Sequence, residues 1–144
     1  FLPDNLAPYI KNTQLWTCPS AKGRYWATYG VPTWYIQNKV VTYGVHDNLV
    51  YWHFNATPDH FGRKGQPLTL AAILRPAEIF LGCDAAFYTV WVRSNATTID
   101  VANINTRMRF PHNDGANFMF CDGHVKFYSR DAVLSGQVDD RYYQ

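Results

Sequence analysis

Asp122-Gly123 is the feature that most constrains the fold, because it sits between two alternating runs in Phe110-Pro-His-Asn-Asp-Gly-Ala-Asn-Phe-Met-Phe-Cys-Asp-Gly-His-Val-Lys-Phe-Tyr128. An Asp-Gly pair in that setting predicts a hairpin closed by a two-residue type I′ turn, whose central residues both need positive φ. The turn sets the register: Cys121 opposite His124, Phe120 opposite Val125, Met119 opposite Lys126, Phe118 opposite Phe127 and Asn117 opposite Tyr128. Directly opposed residues share a face. One face is then Phe118, Phe120, Val125 and Phe127, and the other is Asn117, Met119, Cys121, His124, Lys126 and Tyr128. Sliding this register by one residue would expose three phenylalanines and bury a lysine.

Upstream, Ile104, Thr106, Met108 and Phe110 alternate with Asn105, Arg107 and Arg109, which predicts a third antiparallel strand joined to the hairpin through a loop over residues 111–115. Residues 5–14 read as a short helical or irregular stretch that ends before Cys18-Pro19. Residues 34–37 and 40–43 flank Asn38-Lys39 as a second hairpin, and residues 49–54 are β-prone. A loop spans 55–67. Residues 68–74 give about two helical turns stopped before Pro76, and residues 78–83 a buried strand.

The motif residues also carry a family resemblance. His112, a nine-residue spacer and Asp122-Gly123, within His-Asn-Asp-Gly-Ala-Asn-Phe-Met-Phe-Cys-Asp-Gly-His-Val-Lys, resemble the prepilin-type, processing-associated family named for that spacing. Two further stretches fit it, Tyr9-Ile-Lys-Asn-Thr-Gln-Leu-Trp-Thr-Cys-Pro-Ser20 and Leu70-Ala-Ala-Ile-Leu-Arg-Pro-Ala-Glu-Ile-Phe-Leu-Gly-Cys-Asp84. In that family the first follows a long helix, and the second is a helix-like turn leading into a strand that ends in Asp. The resemblance implies an α+β fold: a pilin-like head with a mostly antiparallel sheet and short helical segments, as in type IV pilins and type II secretion pseudopilins. Family precursors begin with a hydrophobic helix of about 20 apolar residues. Here the chain starts Phe1-Leu-Pro-Asp-Asn5, and although Phe1 matches the first residue of mature pilins, Pro3 and Asp4 do not continue as the family does. The long N-terminal pilin helix is therefore expected to be absent from this chain, either removed or supplied by a separate helical chain.

With 144 residues, a single head domain over 1–144 is expected, with enough chain for a substantial core. The 13 Lys and Arg nearly balance 11 Asp and Glu without any basic run, so neither nucleic acid nor an anionic membrane is indicated as a partner, and no apolar run is long enough to span a bilayer. Aromatic residues make up 17% of the chain, which suits a β-rich fold.

His112, Asp84, Asp122 and His124 are the polar residues that invite a metal or catalytic reading. His112 and Asp122 lie at opposite ends of a strand roughly 20 Å long and cannot share one ion. Asp122 reads as the residue that holds its own turn, with Gly123, and His124 as a surface histidine beside it. His112 reads as a loop residue bonded to backbone or to a carboxylate. If the 78–83 strand runs antiparallel to 116–121, Asp84 meets His112; if it runs parallel, Asp84 meets Asp122. The parallel case makes a two-carboxylate site for calcium conceivable.

Cys18, Cys83 and Cys121 suit one disulfide plus a free thiol, or three buried thiols, and lack the Cys-x-x-Cys spacing of zinc sites. Asn95 and Asn55 head glycosylation sequons, Asn55 in the less favourable context of Pro58. No nucleophile elbow, phosphate loop or paired catalytic carboxylates occur, so no enzyme is expected. The resemblance implies a structural subunit of an extracellular filament or a type II secretion pseudopilus, self-associating or packing with other pilins. Its location would be extracellular or at the cell surface, or periplasmic for a pseudopilin. The alternative is an exported glycan-binding or adhesive module, with Trp26, Trp34, Trp52 and Trp91 as stacking platforms.

Overall fold

The computed structural model describes residues 8–21, 42–46, 49, 71, 73–87, 89–93 and 98–138. A 3-10 helix at Thr13–Trp16 opens this part of the chain, with the Asn12 side chain accepting from the Gln14 N–H at 2.9 Å. The strands are β1 (Tyr43–His46), β2 (Phe80–Asp84), β3 (Thr89–Val90), β4 (Gly115–Phe120) and β5 (Val125–Ser129). Two short helices, α1 (Val101–Arg107) and α2 (Arg130–Leu134), complete the described elements. The sheet order is β3-β1-β2-β4-β5, antiparallel throughout except for the β1–β3 pair. This is a mixed α+β fold with a small, predominantly antiparallel sheet.

The expected hairpin forms, but with a different turn and a register one residue away. Gly123 N–H donates to Phe120 O at 2.9 Å and Phe120 N–H to His124 O at 2.8 Å, with Gly123 at φ +94° and Asp122 on the negative side. This is a three-residue loop: a tight turn followed by a glycine in the left-handed region. Asp122 selects it by accepting from the His124 N–H at 3.1 Å, a side-chain-to-backbone bond that a type I′ turn does not need. Phe118 therefore opposes Lys126, and Met119 opposes Val125. The residues with the φ signs of type I′ are Asn113 (+51°) and Asp114 (+55°), between reciprocal backbone bonds of His112 and Gly115 at 3.0 and 3.1 Å.

The shifted register changes both faces. Phe118 and Phe120 stay buried, joined by Tyr128, whose ring meets Phe118 edge-on at 5.6 Å. Val125 and Phe127 instead join Met119 on the opposite face, 62%, 48% and 38% exposed respectively. Lys126 shares the core side without being buried, because β5 is an edge strand and the ammonium reaches 4.8 Å over the Tyr128 ring.

The third strand expected over residues 104–110 is a helix instead. Asp100 caps α1 by accepting from the Asn103 N–H at 2.9 Å, and Ile104 and Met108, four residues apart, turn inward together. Met108 then pairs with Ala85 in an isolated bridge, so extended backbone begins only after the helix. The core lies between these helices and one face of the sheet: Phe80, Phe118, Ile104, Met108, Val90, Val92, Val133 and Val138 are buried, with Phe80 edge-on to Phe118 at 5.5 Å.

The buried strand expected at 78–83 is β2, and its antiparallel pairing with β4 selects between the two placements of Asp84. Of the hairpin expected around Asn38-Lys39 only Thr42 and Tyr43 are described, and Tyr43 opens β1; of the β-prone run at 49–54 only Leu49 is described, and it is helical rather than extended. The loop at 55–67, most of the 68–74 helical stretch, Asn55, Asn95, Trp26, Trp34 and Trp52 lie outside the described residues.

Candidate metal centre

Four segments converge at one end of the sheet. Residue alternation and strand pairing place Tyr43, Asp84, Gly82 and Met119 on the face opposite the core. Trp16 O accepts from the Thr42 N–H at 3.0 Å, and the Cys18 N–H donates to Thr42 Oγ1 at 2.6 Å, which brings Cys18 to the end of β1. The 112–115 turn folds His112 back over the end of β2. Asp84, at the last position of β2, lies beneath both.

The ligand atoms of Cys18, Asp84 and His112 all lie within 4.8 Å of one another. His112 Nε2 is 3.5 Å from Cys18 Sγ and 3.4 Å from Asp84 Oδ2. Cys18 and Asp84 are buried, whereas the His112 side chain keeps 29% of its surface. Asp84 Oδ2 also accepts from the Asn117 N–H at 2.8 Å, and Asp84 Oδ1 is buried without a hydrogen-bond partner. A set of one thiol, one carboxylate and one imidazole could hold a metal ion.

Electrostatics follow from burial. Desolvation raises the Asp84 pKa, opposed by the Asn117 N–H and by the charge and hydrogen bond of His112. Tyr43, across the strand pair from Asp84, is also raised, first by burial and then by the negative charges of Cys18 and Asp84, while its bond to Thr42 pulls it down. Cys83 points to the core side, where burial and then the Asp84 charge push its thiol well up.

Both polar contacts of His112 go through one ring nitrogen. Sulfur and carboxylate both approach Nε2, so the three side chains face one shared space.

The expected pairing of His112 with Asp84 is thus present, and Asp122 lies at the far end of β4, where its N–H donates to Pro76 O at 3.2 Å. The two-carboxylate site of Asp84 with Asp122 does not form, because antiparallel pairing separates them. Asp122 and His124 bond to each other at the exposed hairpin tip, Oδ1 to Nδ1 at 2.7 Å, and bonds from the His124 backbone and side chain lower the Asp122 pKa. The His124 ring stacks on Phe120 at 4.3 Å. Cys18, Cys83 and Cys121 are all free thiols. Cys18 as a member of this cluster is not legible in the sequence, since it is 94 residues from His112 and no local spacing connects them. Trp91 is half-buried, its indole N–H on Asp100 at 3.0 Å and the Arg107 guanidinium 4.3 Å from the ring. Among the described residues no helix is long and apolar enough to cross a membrane. No family model, curated protein or solved structure matches this chain.

Proposed function

We propose that this chain is the head domain of a structural filament subunit, a pilin- or pseudopilin-like head displayed outside the cytoplasm. The observation that carries this reading is the apolar surface of Met119, Val125 and Phe127, which lies on the same sheet face that receives Cys18. In a pilin-like head, a long helix packs on the sheet and leads into the segment that Tyr9 to Ser20 resembles. Such a helix, from the same polypeptide or from a neighbouring subunit, would cover these three side chains. Burying them would contribute about 25 cal/mol per Å² of apolar surface removed from water.

The family-spacing residues support the same reading by their jobs. His112 ties the 112–115 turn to Asp84, and Asp122 with Gly123 shapes the other end of β4. Both act on the position of one strand, and the reading assigns the chain no reaction.

Electron microscopy of native material, with mass spectrometry of the chains in the same particles, tests the proposal. Ordered filaments containing this chain, weakened by Phe127→Glu, are the expected result. Dispersed monomers without a partner would overturn it and direct attention to an adhesive or glycan-binding role.

A further inference from the structure

We propose that Cys18, Asp84 and His112 form a zinc-class metal site that pins the segment carrying Cys18 to the end of the sheet. Zinc bonds of about 2.3 Å to sulfur and about 2.0 to 2.2 Å to nitrogen and oxygen, spread at tetrahedral angles, place sulfur and nitrogen ligands about 3.5 Å apart and nitrogen and oxygen ligands about 3.4 Å apart. The Cys18 Sγ to His112 Nε2 distance is 3.5 Å and the His112 Nε2 to Asp84 Oδ2 distance is 3.4 Å. The remaining edge, from sulfur to carboxylate, lies within 4.8 Å, against about 3.6 Å around a tetrahedral zinc ion.

Ligand chemistry selects the class of ion. A thiolate and an imidazole nitrogen are borderline-soft donors, which suit zinc and its late first-row neighbours. Calcium takes six to eight hard oxygens, whereas this cluster offers a single carboxylate. The calcium expectation therefore gives way to a transition metal.

Two further observations point to an ion here. Asp84 Oδ1 is buried with no hydrogen-bond partner, and Asp84 itself is only 1% exposed. A buried carboxylate oxygen in that state calls for a water or for a cation that binds Oδ1 together with Oδ2. In addition, Nε2 can donate to only one of its two neighbours at full strength, whereas a metal at the common centre satisfies all three at once.

The surroundings hold the ligands as a metal site requires. Asn117 N–H fixes the carboxylate, Thr42 Oγ1 fixes the Cys18 backbone, and the Asn113-Asp114 turn sets the direction of His112. Binding converts the Cys18 thiol to thiolate and releases its proton. Three protein ligands leave a fourth position on the side where His112 is exposed, which water fills in the simplest case.

The test is cobalt titration of the full chain after chelator treatment, followed by zinc displacement. One equivalent of cobalt is expected to produce visible d–d bands of tetrahedral strength and a near-ultraviolet thiolate-to-cobalt band, both bleached by zinc. Cys18→Ser should remove the thiolate band, and His112→Gln should weaken binding by more than the roughly 10- to 100-fold that losing an outer-shell partner costs. Cys121→Ser should change neither. Circular dichroism of each variant establishes that it is folded. Absent bands in folded wild-type chain, or a thiolate band that survives Cys18→Ser and disappears with Cys121→Ser, would overturn the proposal. Neither result depends on whether filaments form.

Discussion

The Nε2 atom of His112 lies 3.4 Å from Oδ2 of Asp84, joining the loop before β4 to the last residue of β2. That contact exists because β2 and β4 run antiparallel, with Phe80 opposite Phe120 and Cys83 opposite Phe118. Asp84 also receives the Asn117 N–H, so its carboxylate supports β4 whether or not a metal is bound. Asp84→Ala is expected to lose about 1 to 3 kcal/mol of stability in chelator, the cost of leaving a buried donor unsatisfied. Denaturant unfolding measures this. Saturating zinc, at a hundred times its Kd, should add about 2.7 kcal/mol to the wild type and little to the variant.

Gly115 and Gly123 both resist substitution, for different reasons. A Cβ on Gly115 would collide with the Phe127 ring and approach Tyr128 O at 2.8 Å, whereas a Cβ on Gly123 would meet nothing but would sit at φ +94°. Gly115→Ala should cost about 1 to 3 kcal/mol through overpacking, and Gly123→Ala about 1 to 2 kcal/mol through backbone strain. A double-mutant cycle separates them: Phe127→Ala should recover part of the loss at position 115 and none at position 123.

The register of the hairpin has its own signature. Phe118→Ala should cost about 3 to 5 kcal/mol, as expected for a buried aromatic, whereas Val125→Thr on the exposed face should change stability by no more than about 0.5 kcal/mol. Thermal unfolding of the full chain compares the two. A large loss at Val125 would restore the register in which it faces the core.

The hairpin was legible because Asp122-Gly123 and its flanking alternation are local signals, yet the register moved because a single bond from Asp122 to the His124 N–H chose the loop length. Helix α1 reads as a strand in the sequence for a different reason. Ile104 and Met108 stand four residues apart, a spacing that satisfies strand alternation and a helical face equally, and the Asp100 cap decides between them. The pairing of Asp84 with His112 could be anticipated once strand direction was assumed. Cys18 could not, because it reaches the site through Thr42 and a path set only by the tertiary fold.

Thiol chemistry should distinguish the cysteines. Burial, and then the charge of Asp122, pushes the Cys121 pKa up to about 11, so at pH 8 only about one thiol in a thousand is ionised. Alkylation of Cys121 should be slow at neutral pH and rise about tenfold per pH unit until near 11. Asp122→Asn should make it faster at pH 8. Mass spectrometry of peptides after timed iodoacetamide treatment reads both effects, and fast labelling of Cys121 at pH 7 would contradict this environment.

X-ray absorption at the zinc edge of the full chain, loaded with one equivalent of zinc, tests the metal centre most directly. The account predicts one sulfur neighbour at about 2.3 Å and nitrogen or oxygen neighbours at about 2.0 to 2.2 Å, with the sulfur lost in Cys18→Ser. A shell of oxygen and nitrogen alone in the wild-type chain, or two sulfur neighbours, would contradict it.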